Sequence, residues 1–153
     1  MKKSKEIRKT KVFLDSSVVI AAVLSFSGSS FALIRNSLFK NYQLFLLEYV
    51  LEECFRVLYI KYPTKLPILI AFLTAFPFQI AKDPSQKEVE KVIDIINPED
   101  APILAGAIKY QAKYLITLDK KDFLVQKVIG FAKKHKISVI TPKEFLSEFN
   151  QTQ

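Results

Sequence analysis

The sequence predicts an α/β fold in which a parallel sheet is covered by helices on both faces. Three observations predict it. Short apolar runs of strand type alternate with segments of helical periodicity along the chain. The helical stretches are of the length that returns a strand to a parallel neighbour, with right-handed crossovers. At 153 residues, 50% hydrophobic and 25% charged, with 3 glycines and 7 prolines, the chain has the length and ordered composition of one domain.

Lys11–Leu14 reads as a buried strand, followed by a helix from Ser16 to Leu24. Ser25–Ser30 is a Ser/Gly loop, and Phe31–Lys40 has helical periodicity. Gln43–Leu47 is the second strand and Glu48–Lys61 a strong helix. Thr64–Ala75 is another helix and Pro77–Ala81 a short strand. Gln86–Ile96 and Asp100–Gln111 are helical, and Tyr114–Leu118 is the fourth strand. Val125–Lys134 is a helix, Ile137–Ile140 the fifth strand, and Pro142–Phe149 the closing helix. Residues 1–10 form a basic tail ahead of a single domain over residues 11–150.

Two segments imitate membrane or export signals. Met1–Ser30 has a basic start and an apolar run, but Asp15 lies inside that run, and a strand passing into a helix explains it better. Leu66–Ala81 is almost wholly apolar, yet it is shorter than the ~20 residues a spanning helix needs and is punctuated by Pro67 and Pro77. A core helix explains it, as does a helix covering a partner subunit. The expected location is the cytoplasm, without membrane contact.

The charge is uneven. Lys and Arg outnumber Asp and Glu by 23 to 15, a net charge of +8. Lys2, Lys3, Lys5, Arg8, Lys9 and Lys11 crowd the N-terminus, and nine lysines lie from Lys109 to Lys143. Such a field attracts polyanions, nucleic acid first among them, although a solubilising surface has the same composition. One cysteine, Cys54, forbids an internal disulfide, and with one histidine, His135, excludes a sulfur- or imidazole-rich zinc site. Any metal must be held by oxygen.

In such a fold, function gathers outside the C-terminal ends of the strands. Asp15 ends the first strand and Asp119 the fourth, with Asp122 a turn later. Each also suits a helix cap. On the helix Glu48–Lys61, Val50, Leu51, Cys54 and Leu58 define the buried stripe. Glu52 points away from it, whereas Glu53 lies at its edge, where it can lean toward a pocket or pair with Arg56. Asp100 begins the buried face of its helix, either as the N-cap or as an inward acid that needs a cation as partner. Four or five such carboxylates in one pocket repel unless Mg²⁺ or Mn²⁺ binds them. A site of that kind can activate water for phosphodiester hydrolysis without histidine or cysteine. Lys120 and Lys121 beside Asp119 are placed to meet phosphate, or form an ordinary solvated loop.

Four segments carry a family resemblance: Val-Phe-Leu-Asp-Ser-Ser-Val-Val-Ile-Ala-Ala, Val-Leu-Glu-Glu-Cys-Phe-Arg-Val-Leu, Glu-Asp-Ala-Pro-Ile-Leu-Ala-Gly-Ala-Ile and Tyr-Leu-Ile-Thr-Leu-Asp-Lys-Lys-Asp-Phe. Together with the closing Ile-Thr-Pro-Lys-Glu-Phe-Leu, the chain resembles a PIN domain from Lys11 to Phe149, most of all the VapC-like toxin ribonucleases of prokaryotic toxin–antitoxin pairs. The resemblance implies a five-stranded parallel sheet in a three-layer α/β/α sandwich. It also implies Mg²⁺- or Mn²⁺-dependent cleavage of RNA, a homodimer and an antitoxin partner. It makes Asp15, Glu53, Asp100 and Asp119 the catalytic metal ligands, with Asp122 a weaker fifth. Ser17 stands where the family usually has Asn, and can bond a carboxylate or water with less reach. Leu118 replaces a small residue before the fourth acid, with the expectation of a tighter pocket.

A PIN-like module that binds RNA or protein without cutting is the alternative. A receiver domain would need a second acid near Asp15, and a haloacid-dehalogenase-type phosphatase would need Asp at position 17, where Ser17 stands.

Overall fold

The computed structural model describes residues 8–151, with side chains through Phe149. Most of the basic tail, including Lys2, Lys3 and Lys5, lies outside the described residues. Strands β1 (Thr10–Leu14), β2 (Tyr42–Leu47), β3 (Gln79–Ala81), β4 (Tyr114–Ile116) and β5 (Ser138–Ile140) form one sheet in the order β3-β2-β1-β4-β5. Every neighbouring pair is parallel. Eight helices connect and cover them: α1 (Ser16–Leu24), α2 (Ser29–Asn36), α3 (Glu48–Lys61), α4 (Leu66–Ala75), α5 (Gln86–Glu90), α6 (Ala101–Lys109), α7 (Gln126–Lys134) and α8 (Pro142–Gln151). The predicted fold is the observed one.

Burial explains the strand order. Val12, Phe13 and Leu14 of β1 and all of β4 are buried, as central strands covered on both faces must be. The edge strands β3 and β5 each retain exposed positions. Phe13 and Phe45, paired in register across β1 and β2, stack at 5.2 Å with their rings 5° apart. Tyr42, at the N-terminal end of β2, is buried and donates its hydroxyl to the Leu33 carbonyl. Phe145 and Phe149 of α8 meet its ring edge-on at 5.0 and 4.9 Å. On the other strand end, α6 approaches β2 so closely that a Cβ at Gly106 would lie 2.6 Å from Leu47 Cδ1.

Several boundaries differ from the sequence reading for local reasons. Helix α2 begins at Ser29 rather than Phe31, because Gly28 takes the extended cap conformation two residues earlier. The helix expected over Gln86–Ile96 ends at Glu90. Beyond it the chain continues in tight turns, with Val92 N–H bonded to Val89 O and Ile95 N–H to Val92 O, which still bury Val92 and Ile96. The helix expected from Thr64 starts as a 3₁₀ turn, Pro63–Lys65, with Pro67 in the first turn of α4. Helix α4 is only partly a core helix: Leu69 and Phe72 are buried, but Ile70 is 57% exposed. Among the described residues no single helix is long and apolar enough to cross a membrane; α1 and α2 together have the composition but meet at 100°.

Candidate metal centre at the sheet switch point

The strand order reverses between β1 and β4, which opens a crevice at their C-terminal ends. Asp15 emerges there directly after Leu14, its N–H bonded to Ile116 O at 3.0 Å. Its buried carboxylate accepts three donors. Oδ1 accepts the Ser16 N–H at 2.8 Å, and Oδ2 accepts the hydroxyls of Ser17 at 2.8 Å and Thr117 at 2.9 Å. The helix-cap reading of Asp15 therefore holds, and the side chain also faces the crevice group. Burial pushes its pKa up, the hydroxyl donors oppose that, and the Glu53 charge adds to the rise.

Thr117, with no exposed surface, joins two acids. Its hydroxyl donates to Asp15 and accepts the Asp119 N–H at 3.0 Å. The Ser17 hydroxyl likewise accepts the Leu118 N–H at 3.1 Å, so its proton is committed to Asp15. Asp119 then folds its own loop: Oδ1 accepts the N–H groups of Lys121 at 3.0 Å and Asp122 at 2.9 Å. That turn brings the Asp122 carboxylate back beside Asp119.

Asp100 occupies the N-cap position of α6, yet its carboxylate caps no N–H of the helix. The capping role considered for it is thus corrected. Instead the Asn97 amide donates to Oδ2 at 2.7 Å, while Asn97 Oδ1 accepts the Asp100 N–H at 3.0 Å. Ligand oxygens of Asp100, Asp119 and Asp122 all lie within 4.8 Å of one another. Burial pushes Asp100 up to about 6, and repulsion from Asp15, Asp119 and Asp122 adds to this against the Asn97 donor.

Glu53 stands at the boundary expected of it. It accepts the Ser16 hydroxyl and lies 3.8 Å from the Arg56 guanidinium, so the rim pairing and the inward lean coexist. It reaches the other acids through Ser16 and through its field on Asp15, not through the three-oxygen cluster. Tyr49 stands over this side, its hydroxyl bonded to Glu99 O at 2.7 Å and its pKa raised by burial, then by Glu53 and Asp100. Cys54 is buried, and burial first, then Glu53 and Asp15, push its thiol far up. Lys120 and Lys121 are exposed on the Asp119 loop. Leu118 is exposed and lines a separate recess.

Sequence reasoning missed Thr117 and Asn97. Each had a local signal: Thr117 lies two residues before Asp119, and Asn97 three before Asp100 in Asn-Pro-Glu-Asp. Spacing of that kind lets a short polar side chain bond the backbone of the acid that follows.

The donor set fits a hard divalent cation. It is wholly oxygen, three carboxylates converge, and Asp100, raised first by burial and then by its acidic neighbours, is a carboxylate whose charged form a cation would favour. Residues 11–121 match the family model of the PIN domain, and the chain belongs to that family. No curated protein matches the sequence. Solved structures share the fold at low identity. PAE2754 from Pyrobaculum aerophilum is 14% identical with a TM-score of 0.64, over 93% of this chain and 96% of that one. VapBC2 from Rickettsia felis, bound to a DNA fragment from its promoter, is 19% identical with a TM-score of 0.63, over 86% and 98%. VapC20 from Mycobacterium tuberculosis, described as a Sarcin-Ricin loop cleaving toxin, is 13% identical with a TM-score of 0.54, over 72% and 91%.

Proposed function

We propose that the chain is a metal-dependent endoribonuclease hydrolysing RNA phosphodiesters, and the VapC-like toxin of a prokaryotic toxin–antitoxin pair. The observation that carries this reading is the convergence of Asp100, Asp119 and Asp122 oxygens within 4.8 Å, beside the buried Asp15. Membership of the PIN-domain family supports it, as does the likeness to a toxin described as cleaving the Sarcin-Ricin loop.

Asp100, Asp119 and Asp122 would hold Mg²⁺ or Mn²⁺, with Asp15 and Glu53 completing the acidic wall. When bound, the ion supplies a water of lowered pKa and neutralises charge on the phosphoryl oxygens. The chain's own residues set the geometry. Asn97 orients Asp100, while Ser16, Ser17 and Thr117 keep the Asp15 oxygens as acceptors. Thr117 also fixes the start of the Asp119 loop, on which Lys120 and Lys121 meet the RNA backbone. In the net reaction a water oxygen bonds to phosphorus, and the leaving oxygen departs with a proton.

The domain takes in β1 from Thr10 through α8 to Gln151, one residue beyond each bound expected from the sequence, and the basic residues ahead of it add polyanion attraction. The apolar surface of α4, including exposed Ile70, is the contact for a second copy or for an antitoxin in the cytoplasm. The test is Mn²⁺-dependent cleavage of mixed RNA by wild type, Asp15→Asn and Asp100→Asn. Cleavage that survives both substitutions rejects the centre. RNA binding without cleavage by wild type favours a silent binding module.

A further inference from the structure

We propose that a recess beside the acidic centre, between the end of α1, the start of α2 and the start of α8, binds a phosphate group. Resting on the nuclease reading, the phosphate's source is the RNA backbone next to the cleaved bond. The recess has a volume of about 270 Å³ and is bordered by Ser25, Gly28, Ser29, Ser30, Leu118 and Lys143.

Two independent observations point to an anion. The first is the open start of α2. Gly28 holds the N-cap without a side chain, so the first-turn N–H groups of this eight-residue helix have no side-chain acceptor. The second is Ser30. It is only 6% exposed, it lines the recess, and its hydroxyl has no hydrogen-bond partner among the described residues. Among the described residues no enclosed side-chain oxygen lacks a partner, so this hydroxyl is one that reaches the open, and the recess is the opening its residue lines. Lys143 adds an ammonium, and no carboxylate borders the recess. Glu144 is close in sequence, but its carboxylate already accepts the Thr141 hydroxyl at 3.0 Å. Hydroxyl, N–H and ammonium donors without an acid suit a tetrahedral oxyanion and repel a cation.

The recess adjoins the acidic centre through Leu118. That residue precedes Asp119, and its N–H bonds the Ser17 hydroxyl that donates to Asp15. One chain of nucleotides can therefore run from the acids past Leu118 into the recess.

The test uses full-length, metal-free protein. Wild type, Ser30→Ala and Gly28→Asp are titrated with inorganic phosphate by NMR, and in parallel with a short labelled RNA. Gly28 has a negative φ of −87°, and an added Cβ meets nothing within 4 Å, so the aspartate variant folds without strain. Its carboxylate caps α2 and occupies the anion's place. The expected result is phosphate-dependent shifts of the Ser29, Ser30 and Phe31 amides in wild type. Affinity falls about fivefold in Ser30→Ala. It falls at least about tenfold in Gly28→Asp, whose Tm holds or rises. RNA affinity falls in step. Equal phosphate responses in wild type and Gly28→Asp, or shifts confined to other residues, overturn the site. Phosphate binding as expected with unchanged RNA affinity overturns the RNA source and leaves free phosphate as the ligand. Absent Mn²⁺-dependent cleavage with the phosphate result intact rejects the nuclease reading alone.

Discussion

At the N-terminal ends of the strands, polar groups are satisfied by neutral backbone: Tyr42 donates to the Leu33 carbonyl, and the Lys11 ammonium to the Tyr110 carbonyl at 3.1 Å. At the C-terminal ends of β1 and β4, the polar groups are carboxylates that share hydroxyl donors and remain close enough to repel. The first arrangement is complete within the chain. The second leaves like charges facing one another, because Ser16, Ser17, Thr117 and Asn97 supply hydrogen bonds but no charge, and the Arg56 guanidinium reaches only Glu53 at the rim. Buried polar groups alone therefore do not mark a site. Residual like charge does.

Breaking the charged end should have the largest effect. Asp100→Asn or Asp119→Asn is expected to lower Mn²⁺-dependent RNA cleavage at least about a hundredfold, or about 3 kcal/mol in the barrier. Single-turnover rates check it. Thr117→Val should follow, since it strips one donor from Asp15 and the acceptor of the Asp119 N–H. Chemical denaturation should show a loss of about 2 kcal/mol, with cleavage down roughly tenfold or more.

The third prediction separates the two ends by pH. Asp100 is raised from 3.8 to about 6 in the folded protein. The folded state thus binds the extra proton between those values, and its stability falls as pH rises through that window. Allowing for solvent screening of a partly buried group, the loss is about 1 kcal/mol. In EDTA, Asp100→Asn should remove this slope and unfold at a higher temperature than wild type at pH 7. Added Mg²⁺ should shrink that gap. An unchanged slope would mean that Asp100 is not the group that holds the extra proton.

Tyr42→Phe tests the neutral end: it removes one hydrogen bond and should reduce stability by about 1 kcal/mol at every pH between 5 and 8. The smallest effect belongs to Lys113→Ala. Its ammonium lies over the Tyr114 ring at 5.8 Å on the exposed surface, and stability should change by less than about 0.5 kcal/mol.

Asp15 was legible because it directly closes the apolar run of β1, whereas Asp119, read as closing a strand to Leu118, lies on the loop beyond β4, which stops at Ile116 once Thr117 turns its hydroxyl to Asp15 and the Asp119 N–H. Glu53 was legible as a boundary position from helical angle alone, and it is half-buried while Glu52 is exposed. Asp122 was read as a weaker fifth acid; that it stands with Asp100 and Asp119 in the tightest group, ahead of Asp15 and Glu53, was not legible, since it depends on the turn that Asp119 Oδ1 builds by accepting two N–H groups. The recess beside Ser30 was hidden for a similar reason: the start of α2 was read as loop, so its open N–H groups had no place in the argument. The tight turns after Glu90 escaped because burying Val92 and Ile96 needs the same spacing whether the backbone is α-helical or not.

Gly106 carries the consequence inward. Helix α6 lies against Leu47 with no room for a methyl group, and Asp100 is fixed to the near end of that helix. The carboxylate's placement is thus borrowed from the hydrophobic interior, so reshaping that buried contact would shift Asp100 without altering any residue of the crevice.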